Sequence, residues 1–242
     1  MSEIESSNTT ETPSSSSKPS IPKWEQTARD RISTVLKKIG KSIEALKARD
    51  AVEADTRLLV TDVLCDMLGF DKYEDLTAEY QVKGEFADYG VRVDKQLVAF
   101  VEIKRITQKL NATHLRQVES YALKNGVTWA ILTNAQVWQV YNIQSSSGEQ
   151  AETTLVFEVD LLDTNVKPRE KVQSLLAISR EGFSKGLIDD TWRQRFVSSP
   201  KALKPVILSK SVIEEIRKEL WRQQRTKVDA EQIRQSIESM LS

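Results

Sequence analysis

The sequence predicts an α/β fold, a mixed β-sheet covered by helices, and three observations carry that expectation. Apolar residues recur at steps of three or four over 24–50 and again over 53–69, the mark of amphipathic helices. Three strand-like apolar runs follow between residues 76 and 106, rich in Val, Ile, Phe and Tyr. A capped helical segment over 111–126 then separates these from two further strand-like runs, and this helix, strands, helix, strands order is how helices come to cover a sheet.

Taken in order, residues 1–22, MSEIESSNTTETPSSSSKPSIP, are nearly free of large apolar side chains and rich in Ser, Thr, Glu and Pro. Such a segment cannot offset its own ordering entropy and is expected to be a disordered tail. A core is expected over 23–145, led by a helix from Trp24 to about Asp50 whose stripe is Ile32, Val35, Leu36, Ile39, Ile43 and Leu46. Its other face is basic: Lys23 to Asp50 holds eight Lys/Arg against four Asp/Glu, which reads either as a solvated face or as a phosphate-backbone contact. The second helix, EADTRLLVTDVLCDMLGF, carries Leu58, Leu59, Val63, Leu64, Met67 and Leu68 on a wide apolar stripe and ends at Gly69.

Strands are predicted over Leu76–Val82, Phe86–Val93 and Leu97–Ile106, the last two joined by the polar DKQ as an antiparallel hairpin. Asn111 is the expected cap of the next helix and Gly126 its stop, followed by the strands VTWAILTN and AQVWQVYNI. A C-terminal annex over 146–242 starts with the strand TTLVFEVDLL and the single helix REKVQSLLAISREGF. It ends in two helices within SVIEEIRKELWRQQRTKVDAEQIRQSIESML, with Asp229 capping the second. That pair reads as packed on the core, or else as a DNA-contact or dimerisation element.

Composition narrows the function classes. Lys plus Arg equal Asp plus Glu at 35 each, so the whole-chain field points to neither a nucleic acid nor an acidic substrate. The one cysteine, Cys65, lies in an apolar helical pattern, which excludes a disulfide framework and a cysteine-based zinc site and suits a reducing, cytoplasmic setting. No run approaches the roughly 18 apolar residues of a membrane span, and no secretory signal is expected at the acidic, serine-rich start.

Against this background Asp88, Glu102 and Lys104 are out of place. They sit in FADYG and LVAFVEIKRI, and the second run is apolar on both faces until Glu102, as in a central strand. Hairpin pairing brings Asp88 beside Glu102, and two carboxylates there repel unless a cation separates them. Mg²⁺ suits this pair, because it takes hard oxygen ligands and needs only one or two carboxylates plus substrate oxygens, with Mn²⁺ as a substitute. Glu102 and Lys104 are two apart and share a face, Val101 and Ile103 point to the opposite layer, and the Ile103 carbonyl offers a further oxygen to the metal. The alternative is that all three charges lie on the solvent side of a half-exposed sheet.

The arrangement ADYG, then VEIKR, then QVESYA resembles the PD-(D/E)XK nuclease superfamily, and more narrowly the nuclease domain at the N-terminus of type I restriction enzyme R subunits. The resemblance runs from about Val52 to Asn142 and takes in EADTR at the start of the second helix and VTWAILTNAQVWQVY after the Gln-x-x-x-Tyr helix. It implies a restriction-endonuclease-like fold and a Mg²⁺-dependent endonuclease acting on DNA, in restriction or defence. Asp88 and Glu102 would be the metal ligands, Lys104 the catalytic lysine, Glu53 the supporting helix acid, and Gln117 and Tyr121 the Gln-x-x-x-Tyr pair. Ala87 stands where the family has proline. No Gly-x-x-x-x-Gly-Lys-Ser/Thr phosphate loop is present, so the expectation is a standalone nuclease or a part that borrows a helicase motor and specificity from a partner. A double-strand break needs two sites, hence a homodimer or a partner.

On the residues alone, Gln117 and Tyr121 are stacked on one helical face, where they order the surroundings of Lys104 or simply pack. His114 is expected at the surface, Glu79 outward, and Trp129, Trp138 and Tyr141 in the core. The competing functional reading is a catalytically silent nucleic-acid-binding or scaffold module of the same fold. A nuclease acting on RNA or on structured junctions is a third.

Overall fold

The computed structural model describes residues 21–82, 85–144 and 152–241. The tail expected over 1–22 lies outside the described residues up to residue 20, and the expected boundary at 145/146 falls in 145–151, also outside them. Six strands form one sheet in the order β1 (Leu76–Val82), β2 (Glu85–Val93), β3 (Gln96–Ile103), β4 (Trp129–Thr133), β5 (Val137–Gln144) and β6 (Glu152–Asp160). Neighbours are antiparallel except β3 and β4, which run parallel because α3 (Ala112–Asn125) carries the chain across the sheet between them. The mixed sheet flanked by helices is the fold class the sequence predicts.

Each face of the sheet has its own core. On one side α1 (Lys23–Ala48), α2 (Glu53–Asp62) and a π-helical turn Val63–Met67 bury Ile32, Ile43, Val60, Leu64 and Met67 against Val101, Ile103, Ile131, Trp138 and Val140. On the other, α3 packs Val118, Tyr121 and Ala122 against Phe100, Ala130, Leu132 and Tyr141. Strand alternation in β3 therefore sends Val101 and Ile103 one way and Phe100, with Glu102, the other.

The helices beyond the sheet are α4 (Pro168–Ala177), α5 (Arg180–Ser184), α6 (Leu187–Val197), α7 (Pro200–Ile207), α8 (Lys210–Gln224) and α9 (Ala230–Met240). Asn111 caps α3 by accepting from Thr113 and His114 N–H, Gly126 ends it in the left-handed region, and Asp229 caps α9. Trp129, Trp138 and Tyr141 are in the core as expected. Among the described residues no helix is long and apolar enough to cross a membrane.

Three expectations need correction. Leu58 is 68 % exposed, because the buried ladder of this helix runs through Thr56, Leu59, Val60, Val63, Leu64 and Met67 and leaves Leu58 off its face. β3 ends at Ile103 instead of Ile106: Lys104 N–H still donates to Thr133 O (2.8 Å), but Arg105 then reaches the Asp50 and Ala51 carbonyls and Ile106 N–H turns to Thr56 Oγ1 (3.0 Å). The single helix expected over 169–183 divides into α4 and α5, because Ser179 accepts from Gly182 N–H and starts a new helix.

Candidate active site

The site forms where the β1–β2 ladder is interrupted. Tyr80 pairs with Ala87 and Ala78 with Tyr89, but Glu79 and Asp88 between them are unpaired, and Glu79 has φ +49°. A non-glycine residue in the left-handed region within a strand is strained on the order of 1–3 kcal/mol, a cost that clusters at functional sites. Side-chain alternation breaks at the same place, since Ala87 joins the α3-side core and Tyr89 the opposite one. The kink frees Asp88 to turn toward the end of β3, where pairing with β2 is registered only up to Tyr89 and Val101. The Ile103 N–H, just past the last rung, donates to Asp88 Oδ2 (2.7 Å).

Asp88 is thus 7 % exposed and holds the end of β3, while its Oδ1 accepts from the Arg57 guanidinium. Glu102 is 2 % exposed. Its Oε1 accepts from Lys104 Nζ at 2.5 Å, and its Oε2 is buried without a hydrogen-bond partner. Burial pushes the Glu102 carboxyl up to about 7, with repulsion from Asp88 and Glu53 adding to it and Lys104 opposing. Lys104 Nζ also donates to Gln117 Oε1 (3.3 Å), and Gln117 Nε2 donates to Tyr121 OH (2.9 Å). Tyr121 is buried edge-on to Phe100, so one side chain both packs and anchors the relay.

The structure therefore brings Asp88, Glu102, Lys104, Gln117 and Tyr121 together, and the expectation that the three charges lie on a solvated sheet face is not met. Glu53, the first residue of α2, is half-buried and near enough to raise the Glu102 carboxyl. Glu79 faces outward as expected. His114 is partly exposed; its Nε2 lies 3.0 Å from Gln108 Nε2, and its Nδ1 is buried without a hydrogen-bond partner. Desolvation and, next, repulsion from Lys104 hold its pKa down. Sequence reasoning passes over Arg57, the ion-pair partner of both Asp88 and Glu79. The available signal is its position in EADTR, one helical turn after Glu53 and on the same face.

Residues 52–155 match the family model described as the type I restriction enzyme R protein N terminus. This segment resembles the R-subunit nuclease domain. The match covers α2 to the first part of β6, somewhat beyond the span from Val52 to Asn142 over which the motifs carry the resemblance. It points to a restriction-related nuclease role for the R-protein-like segment, and every residue of the Asp88 cluster lies within it. No curated protein and no solved structure gives a match.

Proposed function

We propose that the chain is a Mg²⁺-dependent endonuclease that hydrolyses DNA phosphodiesters at the Asp88–Glu102–Lys104 cluster, in restriction or defence. The observation that carries this reading is Glu102 Oε2, a buried carboxylate oxygen without a hydrogen-bond partner, on a side chain close enough to Asp88 to feel its charge. An orphaned buried anionic oxygen is costly, and a cation resolves it. Among the described residues no group of three or more His, Cys, Asp or Glu gathers at one point, so a cation held by Asp88 and Glu102 would need water and substrate oxygens to complete its shell.

Asp88 and Glu102 would hold Mg²⁺ or Mn²⁺, with the Ile103 carbonyl as a further oxygen. When bound, the metal supplies charge stabilisation at the phosphate and a more acidic water. Asp88 keeps its second function, fixing the Ile103 N–H and with it the end of β3. Lys104, held by Glu102 and Gln117 and 13 % exposed, presents its ammonium to a phosphate oxygen where negative charge accumulates. Gln117 and Tyr121 set the position of Lys104, and Glu53 adds negative potential behind it. Cys65 as a free thiol suits a reducing cytoplasm. A double-strand break would take a second site, from another copy or from a partner that also brings a helicase motor and specificity.

Arg57 supports a second reading. Its guanidinium occupies Asp88 Oδ1 and so neutralises one of the two carboxylates without a metal, as a silent nucleic-acid-binding module would require. Cleavage of supercoiled plasmid and linear duplex in Mg²⁺, Mn²⁺ or EDTA decides between them. Metal-dependent cutting that falls on the order of 100-fold or more in Lys104→Ala, by loss of one charge-stabilising donor, is the expected result. Binding without cutting by wild type would establish the silent module, and cutting in EDTA would refute the metal site.

A further inference from the structure

Outside the nuclease-like segment, α8 and the turn to α9 form a cleft of about 530 Å³ lined by Arg217, Lys218, Trp221, Arg222, Lys227 and Val228. Four of its six lining residues are cationic and none is acidic. Helical spacing explains the grouping: Arg217 and Trp221 are four apart, as are Lys218 and Arg222, so two neighbouring rows of α8 present charge and ring together. Trp221 is 46 % exposed although it is the largest apolar side chain of the helix, and the Arg225 guanidinium lies 5.3 Å from its ring centroid.

The acids of α8 do not cancel this charge. Arg217, Lys218 and Arg222 pair at i,i+3 with Glu214, Glu215 and Glu219 at 2.7–2.9 Å, on side chains that are exposed or, for Glu214, about a third exposed, where such pairs hold weakly and yield to a stronger anion. Arg225 and Lys227 make no ion pair among the described residues. Lys210 to Val228 holds six Lys/Arg against three Asp/Glu in a chain of zero net charge.

A flat aromatic ring half open to water, bracketed by cations, matches the chemistry of a phosphodiester strand with an unstacked base. The ring stacks on the base, and the lysine and arginines take the flanking phosphates. A duplex keeps its base faces stacked inside and can offer this cleft only its phosphates. We infer that the α8–α9 cleft binds single-stranded DNA, with Trp221 as the stacking platform and Arg217, Arg222 and Lys227 as phosphate contacts. The choice of DNA over RNA rests on the nuclease reading, whereas the stacking and charge arguments do not.

The test is fluorescence anisotropy of labelled dT20, U20 and a 20-bp duplex with the full chain in EDTA, so that binding is read without cleavage. Wild type should bind dT20 more tightly than the other two. Trp221→Ala should weaken dT20 binding by about five- to a hundredfold, with Trp221→Phe retaining most of it. Arg217→Ala/Arg222→Ala/Lys227→Ala should flatten the dependence of log K on log salt by about 2. Lys167→Ala, an exposed lysine outside the cleft lining, should bind dT20 like wild type, and reading binding in EDTA keeps the outcome separate from nuclease activity. Circular dichroism confirms that α8 survives in each variant. Unchanged dT20 affinity in folded Trp221→Ala, tighter binding of the duplex, or an equal loss of dT20 binding in Lys167→Ala would overturn the site, and tighter binding of U20 would overturn the assignment to DNA.

Discussion

Glu102→Gln should make the metal-free protein more stable at neutral pH, and the size of the gain is set by burial. The Glu102 carboxyl ordinarily titrates near 4.5 and is pushed up to about 7 by desolvation first and by Asp88 and Glu53 after it. Between those values the unfolded chain gives up the proton that the folded chain retains, so ionisation favours unfolding. The contribution to stability is complete below 4.5 and is lost as pH rises toward 7. At roughly 1.4 kcal/mol per pH unit the loss is about 3 kcal/mol. Glutamine does not titrate, so wild type and variant should be similar at pH 4.5, where both carry a neutral group, and the variant should be ahead by about 3 kcal/mol at pH 7.5. Urea denaturation in EDTA across this range measures the difference. With millimolar Mg²⁺ at pH 7.5 the gap should narrow, since only wild type gains from metal binding to the native state. A stability difference that stays constant from pH 4.5 to 7.5 would show that Glu102 does not carry a desolvated carboxylate, and the metal site inferred from its unpartnered oxygen would fall with it.

Arg57→Ala leaves Asp88 without its guanidinium. Because Arg57 is a third exposed, the metal-free protein should lose only about 1–3 kcal/mol, while Mg²⁺ affinity measured by calorimetry should rise as the competing cation disappears. Weaker Mg²⁺ binding would mean that Arg57 supports the ligands. Tyr121→Phe removes the oxygen that accepts from Gln117 and should cost about 1 kcal/mol in denaturation. It should also lower cleavage severalfold with Mg²⁺ affinity unchanged, because Lys104 loses its orienting relay. Gly69→Ala meets both φ +80° and the Arg31 guanidinium, so thermal melts should show a loss of about 1–3 kcal/mol with cleavage per folded molecule retained.

Periodicity and capping account for the part of the fold that is legible in the sequence. The α1 stripe, the Asn111 cap and Gly126 stop, the β2–β3 hairpin and the central place of β3 all depend on local pattern, and each is found. Glu102 and Lys104 on one side of β3 come from strand alternation alone. The features that escape depend on contacts between distant segments. The break at Glu79 and Asp88 is a positive φ in a strand of ordinary composition, invisible without the fold. Arg57 meets Asp88 only because α2 crosses the end of the sheet, and Arg105 ends β3 by reaching carbonyls more than fifty residues earlier in the chain. Polarity puts His114 toward the surface but does not reveal its neighbours, Lys104 and Gln108, which gather around it once α3 has packed.

The same distinction between local and whole-chain properties resolves the puzzle of a neutral chain that is to engage a polyanion. Zero net charge conceals a segregation: Lys23 to Asp50 carries net +4 and Lys210 to Val228 net +3, so the remaining residues together carry net −7. Attraction to DNA acts over about a Debye length, roughly 8–10 Å at moderate salt, so a surface is felt by its nearest charges and not by the sum over the chain. The acids that make up the balance include Asp88, Glu102 and Glu53, whose negative field Arg57 and Lys104 offset in part and a divalent cation would offset further. Affinity held by remote cationic segments and chemistry held by an acidic centre are then separable by salt. Raising it should weaken binding steeply in EDTA, whereas cleavage of DNA already bound should depend mainly on Mg²⁺. A parallel collapse of binding and of single-turnover cleavage with salt would show instead that the same charges serve both.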